Sequence, residues 1–162
     1  PLLGQHPQPR RDDPETMNET PDMPDQAANP FVDHLGIELL RSSEGSSELQ
    51  MTVDERHLRS LSIQHGGVTA ALLDSALGLA ASSVAPEDRL VVTAQLNVNF
   101  VRPAFPGERL VGTGEGLHAG QQTVVACGRL ETSTGELVAT ATATFLFTDI
   151  PAPRPQPSPA ED

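Results

Sequence analysis

Residues 64–83 read Q-H-G-G-V-T-A-A-L-L-D-S-A-L-G-L-A-A-S-S, and the fold turns on how this stretch is understood. After Gly66 and Gly67 come sixteen residues of Ala, Leu, Val, Gly, Ser and Thr with a single charge, Asp74. Apolar residues fall on nearly every side of a helical wheel (Val68, Leu72, Leu73, Leu77, Leu79, Val84). A helix apolar all round belongs in an interior. The run is too short and too interrupted by Ser, Thr and Asp to span a bilayer, which takes about twenty apolar residues. The expectation is a buried central helix entered through a His-Gly-Gly turn. A carboxylate on such a helix is costly unless it is paired or used, so Asp74 needs a reason to be there.

The prolines mark out the rest of the chain. Of fifteen among 162 residues, seven lie in the first thirty and five in the last twelve. Both ends are also poor in large apolar side chains and cannot offset the entropy of ordering. Residues 1–29 and 151–162 are therefore expected to be disordered tails around one domain, 30–150, large enough for a single core. Pro1 to Asp25 has no apolar stretch of the kind a secretory leader needs. The lone cysteine, Cys127, rules out an internal disulfide framework and points to a reducing cytoplasm. Net charge is −12, with ten Arg and no Lys. So acidic a chain is a poor partner for nucleic acid or an anionic membrane, which are bound through clustered cations.

Around the helix the pattern is that of strands. Phe31 to Leu35 reads as a short helical turn after Asn29-Pro30, ended by Gly36. Ile37–Leu40 and Glu48–Val53 read as a hairpin, and Asp54 to Gln64 as a polar link. From Leu90 the period becomes two: Val92, Ala94, Leu96, Val98 and Phe100 on one face, Thr93, Gln95, Asn97 and Asn99 on the other. Glu108–Leu117, Gln122–Glu131 and Leu137–Phe147 follow as strands joined by short turns. In the last, Leu137, Ala139, Ala141, Ala143, Phe145 and Phe147 form the apolar face, with Val138 turned away. The simplest packing is α+β, one curved antiparallel β-sheet wrapped around the long central helix.

The His-Gly-Gly turn has chemistry available to it. N–H groups in the first helical turn lack intrahelical partners and sit at the positive end of the dipole. With no side chains on Gly66 and Gly67, a ligand oxygen can approach those amides as it would an oxyanion hole. The plainer reading is a tight turn into a helix, with Asp74 and its small neighbours Gly67, Ala70, Ala71, Gly78 and Ala81 serving a helix–helix contact. Geometry separates the two glycine and carboxylate functions. Asp74 lies seven residues beyond Gly67, about 10 Å along the axis, whereas reacting groups approach to roughly 3–3.5 Å. One helix cannot offer both groups to one carbonyl, but two antiparallel copies about a two-fold axis can, so catalysis by this motif predicts a dimer.

His65-Gly66-Gly67, Asp74, Gly78 and Ala80, with Asn97 to Leu110 (N-V-N-F-V-R-P…G-E-R-L) and the closing G-E-L-V-A-T-A-T-A-T-F, carry a resemblance. Over about residues 30–148 the chain resembles the hotdog-fold acyl-CoA thioesterases of the phenylacetate-degradation type, within the 4-hydroxybenzoyl-CoA thioesterase superfamily. The resemblance implies a hotdog fold and hydrolysis of an acyl- or aryl-CoA to free acid and coenzyme A, with no metal. Coenzyme A enters as part of the substrate rather than as a cofactor. It also implies a homodimer, paired into a homotetramer. Under it Gly67, with Gly66, polarises the thioester carbonyl, and Asp74 of the partner subunit acts as nucleophile or general base. His65 shapes the turn or touches the carbonyl region, and Thr93 helps to orient water.

One position departs from the pattern. Six residues before His65, where many relatives have Asn or Gln, this chain has Arg59, leaving Gln64 or Ser62 as alternatives for that role. For the coenzyme A phosphates, Arg59, Arg102 and Arg109 are candidates. Leu73, Leu77 and Phe100 are candidates for the acyl lining. Two other functions stay open at this stage: a non-catalytic acyl-CoA-binding or regulatory hotdog module, which Arg59 favours, and a hotdog hydratase or dehydratase.

Overall fold

The computed structural model describes residues 29–149. The expected tails lie outside them, apart from Asn29. That residue caps the first helix, α1 (Pro30–His34), its Oδ1 accepting from Val32 N. Gly36 then turns the chain with φ +62° into β1 (Glu38–Ser43) and β2 (Ser46–Thr52). A 3-10 turn (Glu55–His57) and a two-stranded hairpin, β3 (Leu58–Arg59) and β4 (Ile63–Gln64), lead to the long helix α2 (Gly66–Ser82). Four strands complete the fold: β5 (Arg89–Phe100), β6 (Arg109–Ala119), β7 (Thr123–Thr132) and β8 (Leu137–Asp149). They form one antiparallel six-stranded sheet in the order β1-β2-β6-β7-β8-β5, with α2 packed across it. This is the hotdog arrangement expected. Among the described residues no helix is long and apolar enough to cross a membrane.

Helix α2 forms because Ala and Leu have the highest helix propensities and dominate it. It stays seated because Leu72, Leu73, Ala76, Leu77 and Ala80 are fully buried against the sheet. Each fully buried leucine contributes about 1.5–3 kcal/mol of transfer free energy. The helix is not buried all round, however. Gly67 is exposed, and Asp74, Ser75 and Gly78 are only half-buried, lining a cleft with residues of α1 and β5. Val84, counted with the apolar wheel, lies past the helix end and is exposed.

The supposed polar link is more organised than its composition implies. Asp54 and His57 form a capping box, and the buried His57 ring bonds Leu35 O through Nε2 at 2.9 Å. Two β-bulges also overturn strict alternation. A register shift between Thr93 and Gln95 places Thr93 opposite Phe145 and Leu96 opposite Ala143, both partners being core residues. Thr93 therefore shares the helix-facing side with Leu96 and Val98, while Val92 is exposed. A second shift, facing Leu130 and Glu131, turns Val138 inward to 2% exposure. Its carbonyl receives both Val101 N and Arg102 N. A bulge adds one residue to one strand and exchanges the faces beyond it.

The helix lies close on β6 because Gly114 has no side chain. A Cβ there would stand 2.6 Å from Ala76 O and 2.9 Å from Ser47 Oγ. Ser47 Oγ donates to that same carbonyl at 2.6 Å. Gly114→Ala is expected to destabilise the fold by about 1–3 kcal/mol through overpacking. The check is the urea midpoint by circular dichroism, and an unchanged midpoint would contradict this close seating.

Candidate active site

The start of α2 is closed by its own histidine. His65 is the N-cap, with extended φ and ψ of −70° and 131°, and its Nδ1 accepts from Gly67 N at 2.9 Å. Gly67 must be glycine for that ring to fit, since a Cβ there would stand 2.9 Å from Nδ1. The Gly67 amide assigned to the carbonyl is thus already engaged. Among the described residues Gly66 N–H makes no hydrogen bond. Gly66 lines a cleft of about 300 Å³, with Arg59, Ile63, Phe100, Val101 and Ala104 on its walls.

Asp74 stands farther along the helix, and the structure gives it a partner that the alternating pattern had turned away. Thr93 Oγ1 donates to Asp74 Oδ1 at 2.9 Å. The β5 bulge makes this contact, because without it Thr93 would point to the outer face. The hydrogen bond holds one carboxylate oxygen and leaves Oδ2 without a partner among the described residues. Asp74 and Thr93 border a second cleft, of about 490 Å³, between α2, the first half of β5 and α1. Its other walls include Val32, Leu49, Leu79, Val91 and Phe145. The two clefts share no lining residue.

The remaining candidates divide. Arg59 lies exposed at the first cleft, and neither it nor the exposed Arg109 forms an ion pair among the described residues. Arg102 is different. Its terminal nitrogens bond Glu108 at 2.8 Å and Glu136 at 2.9 Å, so it braces the β5–β6 link beside the Gly66 cleft, with its unpaired Nε buried. Gln64 is buried, accepts from Thr69 Oγ1 at 2.8 Å at the helix start and lines the Gly66 cleft as well. Ser62 is exposed, beside Leu61, at the hairpin tip, where both residues have positive φ. Leu73 and Leu77 are fully buried core residues and line neither cleft. Phe100 lines the cleft at Gly66 rather than the one at Asp74. Asn29, Val32 and Asp33 of the α1 region, which line the second cleft, went unrecognised because nothing in a five-residue helix indicates where it docks.

The six-stranded sheet thus carries along one helix an open helix-start amide and, two turns on, a carboxylate. Comparison with known proteins identifies the class. The thioesterase superfamily matches residues 61–139. The proofreading thioesterase EntH of Klebsiella pneumoniae is 35% identical over 95 residues, covering 59% of this chain and 69% of that one. The acyl-coenzyme A thioesterase PaaI of Escherichia coli K12 is 33% identical over 91 residues, 56% of this chain and 63% of its own length. The solved E. coli PaaI structure superposes with a TM-score of 0.70 at 26% identity, covering 77% of this chain and 87% of that one. A hypothetical thioesterase of Streptococcus pneumoniae TIGR4, solved with coenzyme A, gives 0.65 at 26% identity, covering 70% and 89%. The chain belongs to the thioesterase superfamily, enzymes that hydrolyse thioesters, and its alignments span about two thirds of these curated relatives.

The Arg102 brace has a testable acid dependence. The Arg102 hydrogen bonds hold the Glu108 carboxyl below its ordinary 4.5, helped by Phe105 N–H. A carboxylate depressed in the folded state contributes stability above its unfolded pKa and loses it as pH falls through the folded value. Arg102→Met is expected to lower stability by about 1.5 kcal/mol at pH 7. The difference from the parent should shrink as pH drops below 4.5. Urea melts at neutral and acid pH check it, and an equal gap at both would contradict the brace.

Proposed function

We propose that this chain is an acyl-CoA thioesterase that acts as a two-fold dimer, each site combining Gly66 of one subunit with Asp74 and Thr93 of the other. The observation that carries the proposal is the division of the chemistry between two clefts on one helix. Gly66 and Asp74 are eight residues apart, about 12 Å of helix rise. That is too far for one carbonyl, so each cleft is half of a site.

The sheet supports this pairing. β5 is an edge strand of twelve residues that pairs only with β8, and its side chains Val92 and Phe100 are exposed. A long free edge of this kind is a template for another strand. The opposite edge, β1, is half as long, at six residues. Thr93 sits beside Asp74, and Phe100 beside Gly66. Antiparallel β5–β5 pairing about an axis near Leu96 and Asn97 would set Thr93 of one copy opposite Phe100 of the other. That brings the two half-clefts together.

In such a site the Gly66 N–H donates to the thioester carbonyl oxygen as negative charge grows on it. Asp74, steadied by Thr93, presents Oδ2 either to the carbonyl carbon or to a water whose proton it takes. The C–S bond breaks, coenzyme A leaves as the thiol after protonation, and water supplies the oxygen of the acid. Gly67 N–H joins the donors only if the carbonyl displaces His65. Arg59, exposed on the wall of the Gly66 cleft and without an ion-pair partner among the described residues, would meet a coenzyme A phosphate, with Arg109 a second candidate. A single cysteine in 162 residues accords with action in the reducing cytoplasm.

Gly66→Pro isolates the donor. Proline is well accepted at the first helical position, and the extended His65 backbone suits a following proline. A Cβ at 66 would stand 3.3 Å from the Phe100 ring, so Gly66→Ala, which keeps the N–H, is the steric control. Gly66→Pro should lower kcat by a further factor of about 10²–10³. Asp74→Asn should lower it by about 10²–10⁴, as loss of a general base does. Free-thiol release from a panel of acyl-CoAs is the measurement. Turnover in Gly66→Pro no lower than in Gly66→Ala, or undiminished in Asp74→Asn, would contradict the assignment.

A further inference from the structure

The cleft beside Asp74 has a charge pattern of its own. Its walls carry two ionisable side chains, Asp74 and Asp33, and no Arg, Lys or His. The rest is apolar or small and neutral, with Val32, Ile37, Leu49, Leu79 and Phe145 setting its character. Asp74 is occupied with Thr93. Asp33 is not: it stands exposed at the rim, its carboxylate makes no hydrogen bond or ion pair among the described residues, and the capping of α1 is done by Asn29. The cleft thus has an acid at its reacting end and a second, unpaired acid contributed by α1, across an apolar floor.

We propose that this cleft receives the acyl group and filters it by charge, with Asp33 as the specificity-determining residue; the proposal rests on the thioesterase reading above. It admits acyl chains that are neutral at their far end, apolar or hydrogen-bond-donating, and rejects those ending in a carboxylate. A carboxylate entering here loses water and gains no cation. It also meets like charge from the half-buried Asp74 at the reacting end and from Asp33 at the exposed rim. Discrimination comes from this penalty against the wrong substrate rather than from tighter contacts to the right one. The same repulsion keeps the phosphates of coenzyme A out of this cleft and directs them toward Arg59 at the other half-site.

The test compares octanoyl-CoA with adipoyl-CoA, which is similar in length but ends in a carboxylate, in the parent protein and in Asp33→Asn. The kcat/KM ratio by thiol release is measured beside the ratio of dissociation constants for the non-hydrolysable thioether analogues by calorimetry. The parent is expected to favour the octanoyl compound in both. Asp33→Asn is expected to narrow both ratios about threefold, corresponding to about 0.6 kcal/mol, the size of effect an exposed charge exerts. Ratios that Asp33→Asn leaves unchanged, or a parent that shows no preference, would overturn the filter. If neither thioester is hydrolysed but the binding ratio narrows as expected, the filter stands and the hydrolytic reading falls.

Discussion

The rise of an α-helix is the constraint on which this molecule's function depends. Helix α2 is rigid, its buried face locked onto the sheet by Leu72, Leu73 and Leu77 and its close approach set by Gly114 and Ser47. Whatever stands at Gly66 and whatever stands at Asp74 is therefore held about 12 Å apart. No side-chain rotation brings a carboxylate and a backbone amide together over that span. Asp74 and Gly78 on that helix are half-buried against Thr93 and Phe145, while Gly67 is exposed. The proposed two-fold dimer answers the separation by bringing the glycine end of one helix to the carboxylate of the other.

The two ends of β5 make that resolution specific. At one end the bulge between Thr93 and Gln95 aims a hydroxyl at Asp74. At the other, Phe100 packs beside Gly66. Neither residue is needed by the strand itself, which pairs with β8 through backbone groups. The strand supplies something to each half-site, and its free edge offers the means of joining them. His65 has a quieter part: by capping Gly67 it leaves Gly66 as the open donor.

Much of this was legible in the residues. The helix, its His-Gly-Gly start and its solitary Asp74 follow from composition and period, and their observed limits match. The antiparallel strands after it were equally plain. What could not be read were events that break a period without changing composition. The β5 bulge is silent in V-V-T-A-Q-L, yet it decides whether Thr93 faces Asp74 or the outer surface. Val138 was misplaced for the same reason. Arg102 looked like a phosphate contact because its distant partner Glu136 cannot be paired with it from sequence. That Gly67 N–H is taken while Gly66 N–H is free was also hidden, because the His-Gly-Gly motif does not say which way the His65 ring turns.

The central claim is that each site is built from two subunits, and subunit complementation tests it most directly. Asp74→Ala and Gly66→Pro proteins, each inactive alone, are co-refolded and assayed for thiol release. In a mixed dimer one site carries both lesions and the other carries neither. Random exchange is therefore predicted to restore about one quarter of the parent activity. A mixture no more active than its two components would contradict a shared site and return Gly66 and Asp74 to separate roles within one chain.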